Sequence, residues 1–154
     1  MNSIEVYEKK TLKLNNVISK EIGFESDPEI QSAERLLMAY IGDKELKPYG
    51  PLIIKMSIVY ENGEISERKW MMVQVKQAPE AVEPPYGFTA LLKAENCLMA
   101  RYCGETRSLP MALTKLKVHA FETDITLSGD AYTIVTVRNK DGTIKADVFA
   151  EAVE

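Results

Sequence analysis

The sequence predicts an α+β fold: duplicated strand-helix-strand-strand modules forming a curved antiparallel sheet, with helices on one side and a groove at the pseudo-two-fold seam. Two observations carry this. Punctuating residues recur at one offset, since Gly50 and Gly129, Gly63 and Gly142, Trp70 and Phe149, and Tyr7 and Tyr86 all stand 79 positions apart. The same kinds of element fill the intervals in the same order, which is the signature of a repeated unit.

In the first module, "TLKLNNVISKEIGF" alternates as a strand does, with a bulge or bend at Asn15 and Asn16. "SDPEIQSAERLLMAYIG" reads as a helix capped by Asp27, with Pro28 at its first position, an apolar stripe of Ile30, Ala33, Leu37 and Ile41, and Gly42 as its stop. "PLIIKMSIVY" and "ISERKWMMVQV" flank Asn62-Gly63, a pair suited to the positive dihedrals of a two-residue hairpin turn. The second module repeats the order. "FTALLKAENCLMARYC" is a strand bent near Glu95-Asn96. "SLPMALTKLKVHAF" is a helix capped by Ser108 or starting near Thr106, with Leu109, Ala112, Leu113, Leu116 and Ala120 inward. "YTIVTV" and "TIKADVFAEAV" flank the turn containing Asp141-Gly142.

The whole of 1–154 is expected to be a single domain, with internal modules at about 1–78 and 86–154 joined through 77–87. The joining stretch is rich in proline, which removes ladder donors, yet each module has one helix to cover its strands and so needs the other.

Composition excludes several function classes. A net charge of -4, from 19 basic and 23 acidic residues, supplies no cationic field for nucleic acid. Cys97 and Cys103 are too few and too irregularly spaced for a disulfide framework or zinc knuckle, and are expected to be buried free thiols. "MNSIEVYEKK" contains no apolar signal segment, and no uninterrupted apolar run suits a bilayer, so the expected location is the cytoplasm, without membrane insertion. Gly50, Gly104 and Gly129 belong to no phosphate-binding fingerprint and are explained by turns. His119, the only histidine, has no local triad partner or second histidine; neither a metal nor a cofactor is expected.

Chemistry is therefore sought among aromatics and acids. Along the last strand of the first module Arg68, Trp70, Met72 and Gln74 share one face and Lys69, Met71, Val73 and Val75 the other, so one face can meet the helix and the other line a concavity. Trp70 and its counterpart Phe149 can offer broad apolar contact and cation–π attraction, or serve as ordinary sheet packing. Tyr49, Tyr60, Tyr102 and Tyr132 combine an apolar ring with a hydroxyl and suit either a ligand cavity or a core rim. Glu61, Glu64 and Glu67 surround the first hairpin turn. They suit a solvated surface, or, for Glu64 or Glu67, general-base work if folding buries one.

The stretch "LMARYCGETRSLPMALTKLKVHAFETDITLSGDAYTIV", and above all "ARYCG", "LPMALTKL" and "SGDAY", resembles the GyrI-like effector-binding domain family, found also as the ligand-binding part of multidrug-responsive transcription regulators. "YGPLIIKMSI" and the hairpin after it resemble the partner module of that family, so the likeness covers nearly the whole chain. It implies paired strand-helix-strand-strand modules and a groove for bulky, often cationic and aromatic compounds. Where the family pattern has an acid after the tyrosine of "GDAYTI", this chain has Thr133, a neutral hydroxyl that supplies hydrogen bonding without Coulomb attraction. Some members resemble hydrolases that use groove acids, and the missing acid weakens that implication here. The regulator form carries a separate DNA-binding segment, and none is expected before or after this domain, so direct contact with nucleic acid is not expected.

The expected function is stand-alone binding of a bulky amphipathic or cationic small molecule, for sequestration or regulation, with Tyr49, Trp70, Tyr102, Tyr132, Thr133 and Phe149 as ligand-binding residues. One alternative is a hydrolase acting on a reactive small molecule through Glu64 or Glu67. The other is a protein-interaction module whose seam is filled by its own side chains, meeting a protein partner or a second copy as a homodimer.

Overall fold

A computed structural model describes residues 2–23 and 27–153, with positions 27 and 28 described by backbone alone. The elements are β1 (Ser3–Ile22), α1 (Asp27–Asp43), β2 (Pro48–Glu61), β3 (Glu64–Val75), β4 (Tyr86–Glu105), a 3-10 turn (Thr106–Ser108), α2 (Pro110–Glu122), β5 (Thr126–Arg138) and β6 (Thr143–Val153). The order is strand-helix-strand-strand twice over, and the α+β, antiparallel class expected from the repeat is the one observed.

The chain forms two compact units, Lys13–Leu92 and a split unit assembled from Met1–Leu12 and Lys93–Glu154. In the first the strands run β1-β3-β2; in the split unit they run β4-β6-β5. β1 and β4 each contribute residues to both units. β1 starts eight residues before the alternation picked out above, because Ile4 and Val6, separated by Glu5, pack on the α2 cluster. The expected bends fall at Asn16 and Asn96, which hold left-handed backbone at φ 50° and 57°.

Each unit has its own core on its helix side. In Lys13–Leu92, Ala33, Leu37 and Ile41 of α1 pack on Ile18 and Ile22 of β1 and on Met71, Val73 and Val75 of β3. In the split unit Ala112, Leu116 and Ala120 of α2 pack on Leu98, Ala100 and Tyr102 of β4 and on Ile144, Ala146, Val148 and Ala150 of β6. Along these stretches of β3, β4 and β6 every second residue enters the clusters, as pleating requires.

Repetition extends to backbone details. Gly50 and Gly129 have φ of 76° and 100°, and each sits within a register shift, between Tyr49 and Ile53 and between Leu127 and Ala131. Both helices end in the same Schellman pattern. The Leu46 N–H reaches the Ile41 carbonyl at 3.1 Å and the Ile125 N–H the Ala120 carbonyl at 2.8 Å, around left-handed Glu45 (φ 59°) and Asp124 (φ 58°). Glu45, not Gly42, therefore terminates α1, since the helix runs through Gly42 to Asp43. Ser108 does not cap α2: Leu109 holds the cap position without a side-chain bond, and Thr106 opens the preceding 3-10 turn. The side chains of Asp27 and Pro28, expected to open α1, lie outside the described residues.

The hairpins diverge. Glu61 and Glu64 close a two-residue turn with Asn62 at φ 52° and Gly63 at 78°. The second is longer: the Asn139 N–H bonds to the Thr143 carbonyl, Gly142 (φ 88°) donates to the Asn139 carbonyl, and Asp141 accepts from both the N–H and hydroxyl of Thr143. The proline-rich connection is pinned to α1 by Glu83, which accepts from the Tyr40 hydroxyl at 2.6 Å and from Lys44. The Tyr40 ring stacks on Tyr86 at 3.8 Å.

Candidate functional site

In the split unit the face opposite α2 carries a ladder across three strands. Met99 of β4 pairs with Phe149 of β6, which pairs with Tyr132 of β5. All three are buried, Tyr132 to 4% and Phe149 to 8% exposure, although α2 packs on the other face. Two expected ligand residues, Tyr132 and Phe149, are thus brought together as direct cross-strand neighbours. Thr133 pairs with Val148 and Tyr102 with Ala146, placing both on the α2 side. There the Tyr102 hydroxyl donates to the Glu105 carbonyl at 2.5 Å.

Two carboxylates act on Tyr132 of the ladder. Burial raises the Tyr132 phenol well above its ordinary range, and the charges of Asp130 and Glu151 raise it further. Cys97, which pairs with Glu151, has its thiol pushed up to about 11, by burial first and then by Glu151. Sequence reasoning missed both acids. Part of the signal was available, since Glu151 stands two residues from Phe149 and hence on the same strand face, whereas Asp130 lies in the register shift between Leu127 and Ala131, where alternation does not assign a face.

Toward the other end of the same strands the face becomes polar. Arg101 donates from Nε to Asp147 at 3.1 Å, and its guanidinium lies 5.8 Å from the Tyr7 ring. The Tyr7 hydroxyl donates to Glu5 at 2.6 Å, which raises its pKa. A cavity of about 480 Å³ opens here over Glu5, Arg101, Cys103, Thr136, Lys145 and Asp147. Cys103 is exposed, contrary to the expectation of two buried thiols, because it pairs with Lys145 on this polar stretch while Cys97 lies at the apolar end.

The Lys13–Leu92 unit arranges the corresponding face differently. Trp70 is half-buried, with Lys55 Nζ 5.1 Å and the Arg68 guanidinium 5.2 Å from its ring, and Arg68 forms a two-point ion pair with Glu21. Tyr49 donates through its hydroxyl to Gln74 Oε1 at 3.2 Å, an oxygen that also accepts the Asn15 N–H at 3.0 Å. Glu64 and Glu67 are exposed on the hairpin, opposite Glu61 and Ile58. His119, half-buried on α2, lies 2.7 Å from Glu8. Among the described residues no group of three His, Cys, Asp or Glu could hold a metal ion, and no helix is long and apolar enough to cross a membrane.

No family model matches this sequence, and no curated protein sequence matches it. Solved structures do match. EcmrR in its complex with DNA superposes with a TM-score of 0.71 at 10% identity over 99% of this chain, which spans 58% of the EcmrR chain. The EcmrR C-terminal domain by itself gives 0.64 at 12% identity, covering 100% of this chain and 99% of the domain. SAV2435 bound to tetraphenylphosphonium gives 0.51 at 10% identity, over 98% of this chain and 94% of that one. At these identities the likeness is one of fold, and the chain has the fold of the EcmrR C-terminal domain and of SAV2435.

Proposed function

We propose that this chain binds a bulky lipophilic organic cation, with Met99, Tyr132 and Phe149 as the apolar wall and Glu151 and Asp130 as the counter-charge. One observation carries the reading: an aromatic pair buried on a face away from the helix, with the charges of two carboxylates acting on its tyrosine. Aromatic faces and a nearby anion attract a delocalised cation by the ring quadrupole and by Coulomb energy, both strengthened where water is excluded. Thr133, on the α2 side, leaves the acid of the family pattern unreplaced at its own position, and in this reading Glu151 contributes the negative charge from the opposite face of the neighbouring strand. That SAV2435, which shares this fold, is bound to tetraphenylphosphonium supports the same ligand class.

In this reading Tyr102 and Thr133 support the ladder from the α2 side, and Trp70 and Tyr49 form a separate aromatic face in the Lys13–Leu92 unit. Glu64 and Glu67 take no part. The outcome of binding is sequestration or ligand-dependent recognition of another protein, and two free thiols fit a reducing cytoplasm. Calorimetric titration with tetraphenylphosphonium tests the proposal. Saturable binding is expected, weakened in Tyr132→Ala and Phe149→Ala. Glu151→Gln is expected to lower the affinity about tenfold while leaving binding of neutral triphenylphosphine oxide unchanged. Absence of saturable binding by the wild type, or equal losses for the charged and neutral compounds, overturns it.

A further inference from the structure

Glu151, the half-buried carboxylate on which the proposed cation site depends, makes no hydrogen bond or ion pair among the described residues. A carboxylate drawn partly out of water ordinarily recruits a cation. One stands close by. Lys93 lines the same opening of about 420 Å³ as Glu151, together with Glu95 and Ala152. Its ammonium is nevertheless engaged elsewhere, 2.8 Å from a Glu95 oxygen.

Strand geometry explains the choice. Lys93 and Glu95 stand two positions apart on β4, so their side chains leave the strand side by side, and they are 47% and 66% exposed. β4 then bends at left-handed Asn96 before Cys97 pairs with Glu151. Pairing with Glu95 keeps the strongly hydrated ammonium in water, whereas pairing with Glu151 would draw it toward the buried end of the ladder at a cost in desolvation. Two carboxylates thus compete for one lysine at this opening, and the exposed one holds it.

We propose, on the reading that Glu151 is a counter-charge of the cation site, that Glu95 is a positioning residue: by engaging Lys93 it keeps that ammonium from neutralising Glu151 and leaves the carboxylate to the ligand. Without Glu95, Lys93 turns to Glu151 and becomes the cation that a ligand has to displace. The exposed pair is weak, so the effect is severalfold rather than a matter of orders of magnitude.

A double-mutant cycle, read by calorimetric titration of the full chain with tetraphenylphosphonium, tests the proposal. Glu95→Gln is expected to weaken binding about fivefold. Lys93→Met is expected to change the affinity of the wild type by less than about twofold, yet to recover most of the loss in the Glu95→Gln background. Neutral triphenylphosphine oxide should show no difference among the four proteins. If Glu95 acted only as a distant charge, Lys93→Met would have the same effect in both backgrounds, and such additivity overturns the proposal while leaving the cation site standing. Glu95→Gln without loss, or with an equal loss for the neutral compound, overturns it as well. A wild type with no saturable cation binding removes the site itself and this role with it. Both side chains are exposed, so the melting temperatures should match wild type. A variant that melts early is replaced by Glu95→Ser or Lys93→Gln in the same cycle.

Discussion

Trp70 and Phe149 occupy the same place in the two repeats, each on the last strand and on the face away from its helix, yet their surroundings have opposite sign. Lys55 and Arg68 cover the ring of Trp70. Phe149 instead has Tyr132 beside it and Glu151 two residues along its own strand. The inversion extends to the flanking ion pairs. Arg68, paired with Glu21, stands 79 positions before Asp147, which is paired with Arg101. Duplication thus preserved the frame while exchanging the charges on it. A ring whose face is already taken by the protein's own cations is a poor host for another. The proposed cation site is accordingly assigned to the split unit.

The frame should respond symmetrically and the site should not. Leu37 and Leu116, fully buried at equivalent positions of α1 and α2, anchor the two cores. Leu37→Ala and Leu116→Ala should each cost about 3 kcal/mol in urea unfolding. A loss in one unit much larger than in the other would break the comparison at the level of packing. Next in size, removing Lys55 with Lys55→Met should leave tetraphenylphosphonium affinity within about twofold of wild type, against the tenfold loss expected for Glu151→Gln. Equal effects of the two substitutions would show that the exchanged charges do not separate the faces.

The helix ends offer a finer test. Glu45→Gly and Asp124→Gly relieve left-handed strain and should raise stability by up to about 1 kcal/mol, more for Glu45 because aspartate tolerates this region better. Thermal melts would check the order.

Smallest is the pH effect of the Glu83 clamp, which is exposed and therefore screened. Lys44 and then the Tyr40 hydroxyl hold its carboxyl at about 2, below the ordinary 4.5. A depressed folded-state value contributes stability above pH 4.5 that disappears as pH falls toward 2. The destabilisation by Glu83→Gln should therefore be visible at neutral pH and vanish near pH 2.

Much of the frame was legible because it rests on local rules. Alternation separated Met71, Val73 and Val75 from Trp70 and Met72, helical spacing found the inward faces of α1 and α2, and Asn62-Gly63 announced its turn. What escaped depends on contacts distant in sequence. β1 extends to Ser3 because Ile4 and Val6 find α2, and Gly104 needs no turn, since it lies within β4 where an added Cβ would come 2.9 Å from Asn2 Cα. Glu45 was overlooked as a helix terminator because glutamate carries no left-handed preference and only the paired carbonyl bonds reveal the motif. The site was half legible. Tyr132 and Phe149 stand out in the sequence as large side chains at strand positions, whereas Glu151 and Asp130 enter the proposal through charge effects on Tyr132 that only three-dimensional placement reveals.

The split unit takes Met1–Leu12 from one end of the sequence and closes with β6 at the other. During synthesis, residues 3–12 emerge before Lys13–Leu92 but must wait for β6 before their own core can condense. Lys13–Leu92, contiguous in sequence, can begin collapsing about 60 residues sooner. Synthesis order therefore favours a nascent chain in which the scaffold around Trp70 matures first and the half carrying the proposed site last.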